Sequence, residues 1–207
     1  LPAKKPIGSL IFVHGNAGNI GSHLGTVIWM PDSGLNVLMF DYSGFGDSKG
    51  STNAQSALID IDGAVSYLSA RSDIDSQKII LFGQSIGGTL ALYYTATTNL
   101  ENKIKALVVD SPFASYPEIV REKFSHPLIL LPFGWLASLF VPSSYDPIAV
   151  VQQISPLPLL FIYGTGDRTV SHNNSERLFA AANEPKEFIV AEGAEHMEDM
   201  FRPEVRQ

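Results

Sequence analysis

The stretch GQSIGG, Gly83 to Gly88, follows the apolar run IILF. A serine flanked by glycines two residues to either side, on a tight strand-to-helix turn, can project from the top of a sheet as a nucleophile. A helix starting near Ile86 would aim its N-terminus at the same spot and favour developing negative charge there. The plain alternative is a turn in which Ser85 only caps that helix. The two are separated by whether the chain carries what a nucleophilic serine requires.

A serine hydroxyl needs a base. The chain has five histidines. His14 ends a first strand and is expected to shape the loop there. His23 falls in a polar loop or early helix, His126 precedes Pro127, and His172 is placed to cap or start a helix. His196, in AEGAEHM after the last strand, is the candidate base by its place in chain order. The base needs an acid to hold its tautomer. Asp167, in YGTGDRTV, is the candidate; its plain reading is a turn residue. Asp110, at the end of another strand, is its competitor. Glu192, Glu195, Glu198 and Asp199 lie too near His196 along the chain to be first choices. The order Ser85, Asp167, His196 is the nucleophile–acid–base order of one α/β architecture. The third need is a pair of donors for an oxyanion. The backbone N–H of Ile86 is one candidate; the other is Asn16, in the loop HGNAGN. That loop matches neither G-x-x-x-x-G-K-[ST] nor G-x-G-x-x-G, so a nucleotide loop is not indicated.

These residues need elements to position them. Apolar runs at 9–13, 36–42, 78–82, 104–110, 158–163 and 186–191 do not alternate, which indicates strands buried on both faces. Helical spacing separates them, at Gln55 to Ala70 through Ala57, Ile61, Ala64, Val65 and Leu68, and again at Gly87 to Thr97. Strands alternating with helices predict a mostly parallel sheet with helices on both faces. Ligands of such sheets bind beyond the carboxyl ends of the strands. HGN, DYSG, GQS, DSP, GTGD and GAEH all fall at such ends. Between Pro112 and Pro156 the rhythm breaks, with no strand predicted and the apolar stretch Leu128 to Val141 inside it. This reads as a helical cap over the strand ends, and the stretch as buried or interfacial, too short for a membrane span. The chain reads as one domain, 1–207, with core 7–111 and 157–207 and cap 112–156.

Composition bounds the partners. The 207 residues carry a net charge of −7 and no basic stripe, which argues against a nucleic-acid binder. The chain has no cysteine, which excludes disulfides, thiolate zinc sites and a cysteine nucleophile. No histidine–carboxylate cluster has metal spacing. No cofactor is expected.

With HGNAGN, DYSGFGDSKG, GQSIGG, DSPF, YGTGD and GAEH in this order, the chain resembles the α/β-hydrolase superfamily over nearly its whole length. HGNAGN and DYSGFG are similar to the Bem46-like serine hydrolases, relatives of a group that includes protein depalmitoylases. The resemblance implies Ser85 as nucleophile, Asp167 as acid, His196 as base, and Asn16 and Ile86 as the oxyanion hole. It also implies two strands ahead of the HG strand, for which Leu1 to Gly8 leave no room. Relatives often carry a hydrophobic anchor there, so a trimmed catalytic core is the expectation, at a membrane or in the cytoplasm.

The leading functional expectation is hydrolysis of carboxylic esters or thioesters through an acyl-enzyme, on a small or lipid-like acyl substrate. Phe113, Leu128, Leu131, Phe133, Trp135 and Leu136 are candidates for an acyl-binding wall or lid; ordinary core packing and a membrane-touching lid are the other readings. A serine peptidase of the oligopeptidase kind would use the same triad on amides. A hydrolase fold kept as a binding module is the third reading.

Overall fold

The computed structural model describes residues 1–100, 103–124, 131–203 and 205–206, and the side chains of all of these but 131–133. Six strands, β1 (Gly8–Val13), β2 (Leu35–Met39), β3 (Ile79–Gln84), β4 (Ala106–Asp110), β5 (Leu159–Gly164) and β6 (Lys186–Ala191), form one sheet in the order β2-β1-β3-β4-β5-β6. Every neighbouring pair is parallel. All six carboxyl ends therefore open on one edge, where the polar motifs sit.

The continuous apolar runs serve two cores at once, because successive side chains leave a strand on opposite faces. Ile11, Val13, Ile79, Leu81, Leu107, Val109, Leu159 and Phe161 share one core with helices α2 (Ala54–Ser69), α3 (Ile86–Thr97) and α6 (Asn173–Ala181). Leu10, Phe12, Phe82 and Ile162 point the other way, onto Val27 of α1 (Ile20–Val27) and Met200 near the end of the chain. In α2 the buried residues are the five that the helical spacing picks out, and an Asn53–Ser56 capping box starts the helix.

The strand ends follow neighbours rather than hydropathy. β3 continues through Gly83 and Gln84 because these pair with Val109 and Asp110 of β4. β2 stops at Met39, short of the predicted Tyr42. Past it the chain turns inward, and the Tyr42 hydroxyl donates to the His14 carbonyl at 2.7 Å.

Among the described residues between β4 and β5 lie α4 (Tyr116–Lys123), α5 (Leu131–Ser138) and two short 3-10 turns, and no strand. Helices α4 and α5 pack together. The apolar stretch expected to be buried or interfacial leaves Leu139 and Phe140 open to solvent, at 61% and 82% exposure. Among the described residues no helix is long and apolar enough to cross a membrane.

Close contact between α3 and β1 places the elbow. A Cβ on Gly87 would stand 2.0 Å from the Val13 carbonyl oxygen and 2.5 Å from that of His14. Both are backbone atoms that cannot rotate aside. Gly87→Ala should therefore destabilise the fold by about 3 kcal/mol, as forced core insertions do, read as a lowered urea midpoint. A change within about 0.5 kcal/mol, the range of harmless surface changes, would show that α3 is free to shift away from β1.

Candidate active site

Ser85 stands between the last residue of β3 and the first of α3, with φ 56° and ψ −121°. A side-chain-bearing residue in that region carries roughly 1–3 kcal/mol of strain and persists only when its surroundings enforce it. Here they do. The Ser85 N–H donates to the Asp110 carbonyl at 2.8 Å. A Cβ on Gly83 would lie 2.5 Å from the Gly87 carbonyl oxygen, so the turn closes only around a bare glycine.

The hydroxyl of Ser85 makes no capping bond to α3. Its Oγ lies instead 2.9 Å from His196 Nε2. His196 Nδ1 lies 2.6 Å from Asp167 Oδ2, while Asp167 Oδ1 accepts from the N–H groups of Thr169 at 2.7 Å and Val170 at 2.8 Å. An ionised Asp167 takes a proton only from Nδ1–H, which leaves Nε2 as the acceptor facing Ser85. Burial pushes the Asp167 carboxyl upward, but the bond from His196 and the two N–H groups outweigh it, so it titrates below the usual aspartate value.

The loop carrying His196 is tied to the loop carrying Asp167. The N–H of Thr165 donates to the Ala191 carbonyl at 3.2 Å, and that of Gly166 to the Ala194 carbonyl at 3.0 Å. Asp167 and His196 thus arrive on one braced unit at the ends of β5 and β6.

Ile86 is the first residue of α3, so its N–H has no acceptor within the helix and lies directly beside Ser85. Asn16 lies in an exposed loop whose next two residues, Ala17 and Gly18, have φ 71° and 70°. His14 braces that loop from below. It is fully buried, and its Nδ1–H donates to the Gly15 carbonyl at 2.8 Å. Burial, only partly offset by that bond, lowers its pKa from the ordinary histidine value. His23 is buried in α1 and stacks on His14. His172 is the N-cap residue of α6, without a side-chain capping bond. His126 lies outside the described residues.

A cleft of about 480 Å³ opens beside His196, lined by Asn16, His23, Thr26, Gln84, Met197 and Phe201 among others. Of the wall candidates, Phe113, Trp135 and Leu136, whose side chains are described, do not line it. Phe113 is buried and packs edge-to-face on Tyr116. Trp135 and Leu136 of α5 are 60% and 52% exposed. Leu131 and Phe133 are placed on α5 by their backbone alone, and Leu128 lies outside the described residues.

Sequence reasoning missed one feature. Asp110, the competitor for the acid, is not the partner of His196; it is buried, accepts from Gln84 Nε2–H, and its carboxyl interacts with that of Asp199, which is also buried. No spacing signals this pair, which are 89 positions apart. The only local sign was an aspartate at a strand end with no other work.

The fold and site define an α/β protein with a serine on a strained strand-to-helix elbow. The chain belongs to the α/β-hydrolase family: residues 8–139 match the profile described as the alpha/beta hydrolase fold. YfhR of Escherichia coli (strain K12) is 38% identical over 198 residues, covering 95% of this chain and 66% of YfhR. Bem46 of Schizosaccharomyces pombe is 29% identical over 186 residues, covering 89% and 59%. The chain therefore spans just under two thirds of YfhR and less of Bem46. Among solved structures, the Pyrococcus furiosus esterase Pf2001 shares the fold with a TM-score of 0.76 at 23% identity, over 93% of this chain and 75% of that one.

Proposed function

We propose that the protein is a serine hydrolase that cleaves carboxylic esters or thioesters through an acyl-enzyme. The observation that carries this reading is the unbroken line from Ser85 through His196 to Asp167, at 2.9 and 2.6 Å. Ser85 Oγ attacks the acyl carbon while its proton passes to His196 Nε2. The tetrahedral oxyanion is met by N–H groups of Ile86 and Asn16. Collapse breaks the bond to the alcohol or thiol, which leaves with the proton from His196. Water then gives a proton to His196 as it attacks the acyl-enzyme, and the acid departs with Ser85 restored. Asp167 orients the imidazole and steadies its charged form throughout.

For the substrate we propose a small or lipid-like acyl group, with the helices between β4 and β5 as cap and Trp135 and Leu136 as an acyl-contacting edge. The esterase Pf2001 supports ester chemistry by analogy of fold alone. A fluorophosphonate probe tests the reading. The wild type should take up one adduct, on Ser85, and His196→Ala should slow labelling by about 10²–10⁴-fold, the usual worth of a general base. No adduct, or one on another residue, overturns the reading. A series of acyl esters and thioesters of rising chain length then ranks the substrates. Turnover confined to aminoacyl or dipeptidyl amides would replace the esterase with a peptidase.

A further inference from the structure

We propose that Asp110 and Asp199 share one proton as a buried carboxyl pair that latches the His196 loop to the end of β4, making both of them positioning residues for the base. Only the kinetic readout of this inference rests on the serine-hydrolase reading.

Both side chains are fully buried. Asp110 Oδ2 accepts from Gln84 Nε2–H at 2.9 Å, and Asp199 Oδ2 accepts from the Ser111 hydroxyl at 3.3 Å. Counted as ionised carboxylates, the remaining oxygens, Asp110 Oδ1 and Asp199 Oδ1, are buried without a donor. One proton placed between these two closely interacting carboxyls would give both oxygens a partner. Among the described residues neither aspartate is in an ion pair. Two uncompensated charges in contact and out of water would be costly, and one proton removes most of that cost.

The surroundings are built around the pair. Ser111 holds φ 50°, a left-handed turn that accompanies its bond to Asp199. A Cβ on Gly164 would come within 2.8 Å of Asp199 Oδ1. The two ends of the bridge reach the two reacting groups. Asp110 accepts the N–H of Ser85 on its carbonyl and the amide of Gln84 on its side chain. Asp199 lies three residues past His196, across a turn closed by the Glu198 N–H on the Glu195 carbonyl at 3.0 Å.

Loss of the shared proton would set two like charges against each other. Asp167, from the loop after β5, adds to this by its own charge on both. Its partner His196 stands beyond it. Glu192, Glu195 and Glu198 on the same loop are exposed. Arg206, on the terminal segment, places its guanidinium on the Met200 carbonyl and over the rings of Trp29 and Phe201. Burial first, then the bond and charge of Asp110, push Asp199 up to about 9. The folded pair thus keeps a proton that an unfolded aspartate releases near about 3.9. Its contribution to stability is full below that value, shrinks as pH rises, and is gone above about 9.

Asp199→Asn tests the latch. An asparagine offers its carbonyl oxygen to Ser111 and an N–H to Asp110, keeping the bridge with no proton to lose. The infrared carbonyl band of a protonated carboxyl should be present in the wild type at pH 7 and absent in this variant. Hydrogen exchange of segment 192–202, corrected for intrinsic rates, should accelerate about tenfold or more from pH 8 to pH 10 in the wild type only. The ratio of kcat/KM at pH 10 to that at pH 8 should fall in the wild type and hold in Asp199→Asn. Should Asp199→Asn not fold, Asp110→Asn carries the same comparison, with its oxygen toward Gln84 and its N–H toward Asp199. No protonated-carboxyl band at pH 7, or matching alkaline exchange in wild type and variant, overturns the proposal. An inactive protein would sink the hydrolase reading alone, since band and exchange are read without turnover.

Discussion

Ser85→Ala should lower kcat by at least about 10⁴-fold, approaching the roughly 10⁶-fold loss seen when a nucleophilic serine of a triad is removed. The geometry makes this a clean substitution. Alanine keeps the Cβ that the φ of 56° already accommodates, so elbow strain is unchanged. The only atom lost is the Oγ that lies 2.9 Å from His196 Nε2. That oxygen makes no capping bond to α3, so the helix loses nothing. The melting temperature should stay within about 4 °C of the wild type, since the one hydrogen bond lost is worth about 1 kcal/mol net. Substrate binding should survive, because the cleft walls and the N–H groups of Ile86 and Asn16 are untouched. Steady-state kinetics beside a binding titration separate the two. A kcat loss of less than about tenfold, with the fold intact, would place the nucleophile elsewhere.

Asp167→Asn should cost about 10⁴-fold in kcat with little change in KM, through the tautomer of His196. The Asn oxygen can still accept the N–H groups of Thr169 and Val170, which bond Asp167 Oδ1 at 2.7 and 2.8 Å. Its amide then stands where Oδ2 stood, 2.6 Å from His196 Nδ1. An amide donates, so Nδ1 must accept, and the ring proton moves to Nε2. Nε2 then faces Ser85 as a donor and can take no proton from it. The variant also changes acid stability. The wild-type carboxyl titrates below its unfolded value, so its stabilisation is complete above about 3.9 and is lost as pH falls through the lower folded value. Asp167→Asn should flatten that acid slope of the melting curve. An unchanged kcat would show that Asp167 does not set the tautomer.

Much of the fold was legible because apolar runs such as Ser9 to Val13 carry no alternation, and only a strand covered on both faces needs that pattern. The helix from Ala54 to Ser69 was legible for the complementary reason: Ala57, Ile61, Ala64, Val65 and Leu68 repeat at helical spacing and are its buried residues. Element ends were less so. β2 leaves the sheet at Met39 although Phe40 and Tyr42 are apolar enough to continue it, because side-chain hydropathy does not record which backbone has a partner. The acyl wall was read from apolar composition alone. Composition does not distinguish Phe113, packed on Tyr116, from Trp135, open to solvent.

By itself the sequence determined which chemistry was available. A serine between glycines, an aspartate and a histidine were each placed at a strand end, and parallel strands bring their carboxyl ends to one edge. Strand-end placement alone left Asp110 as a competitor, and the preference for Asp167 rested on the family resemblance. Only the tertiary structure set Asp167 Oδ2 at 2.6 Å from His196 Nδ1 and buried Asp110 with its carboxyl on Gln84. It also made GQSIGG more than a turn, because the strained φ of Ser85 is enforced by the Asp110 carbonyl and by the closeness of Gly83 to Gly87. The physical reason is the same in each case. Hydrogen bonds act over about 3 Å, and charge depends on burial. Both are set by residues far apart in the chain, which local spacing does not encode.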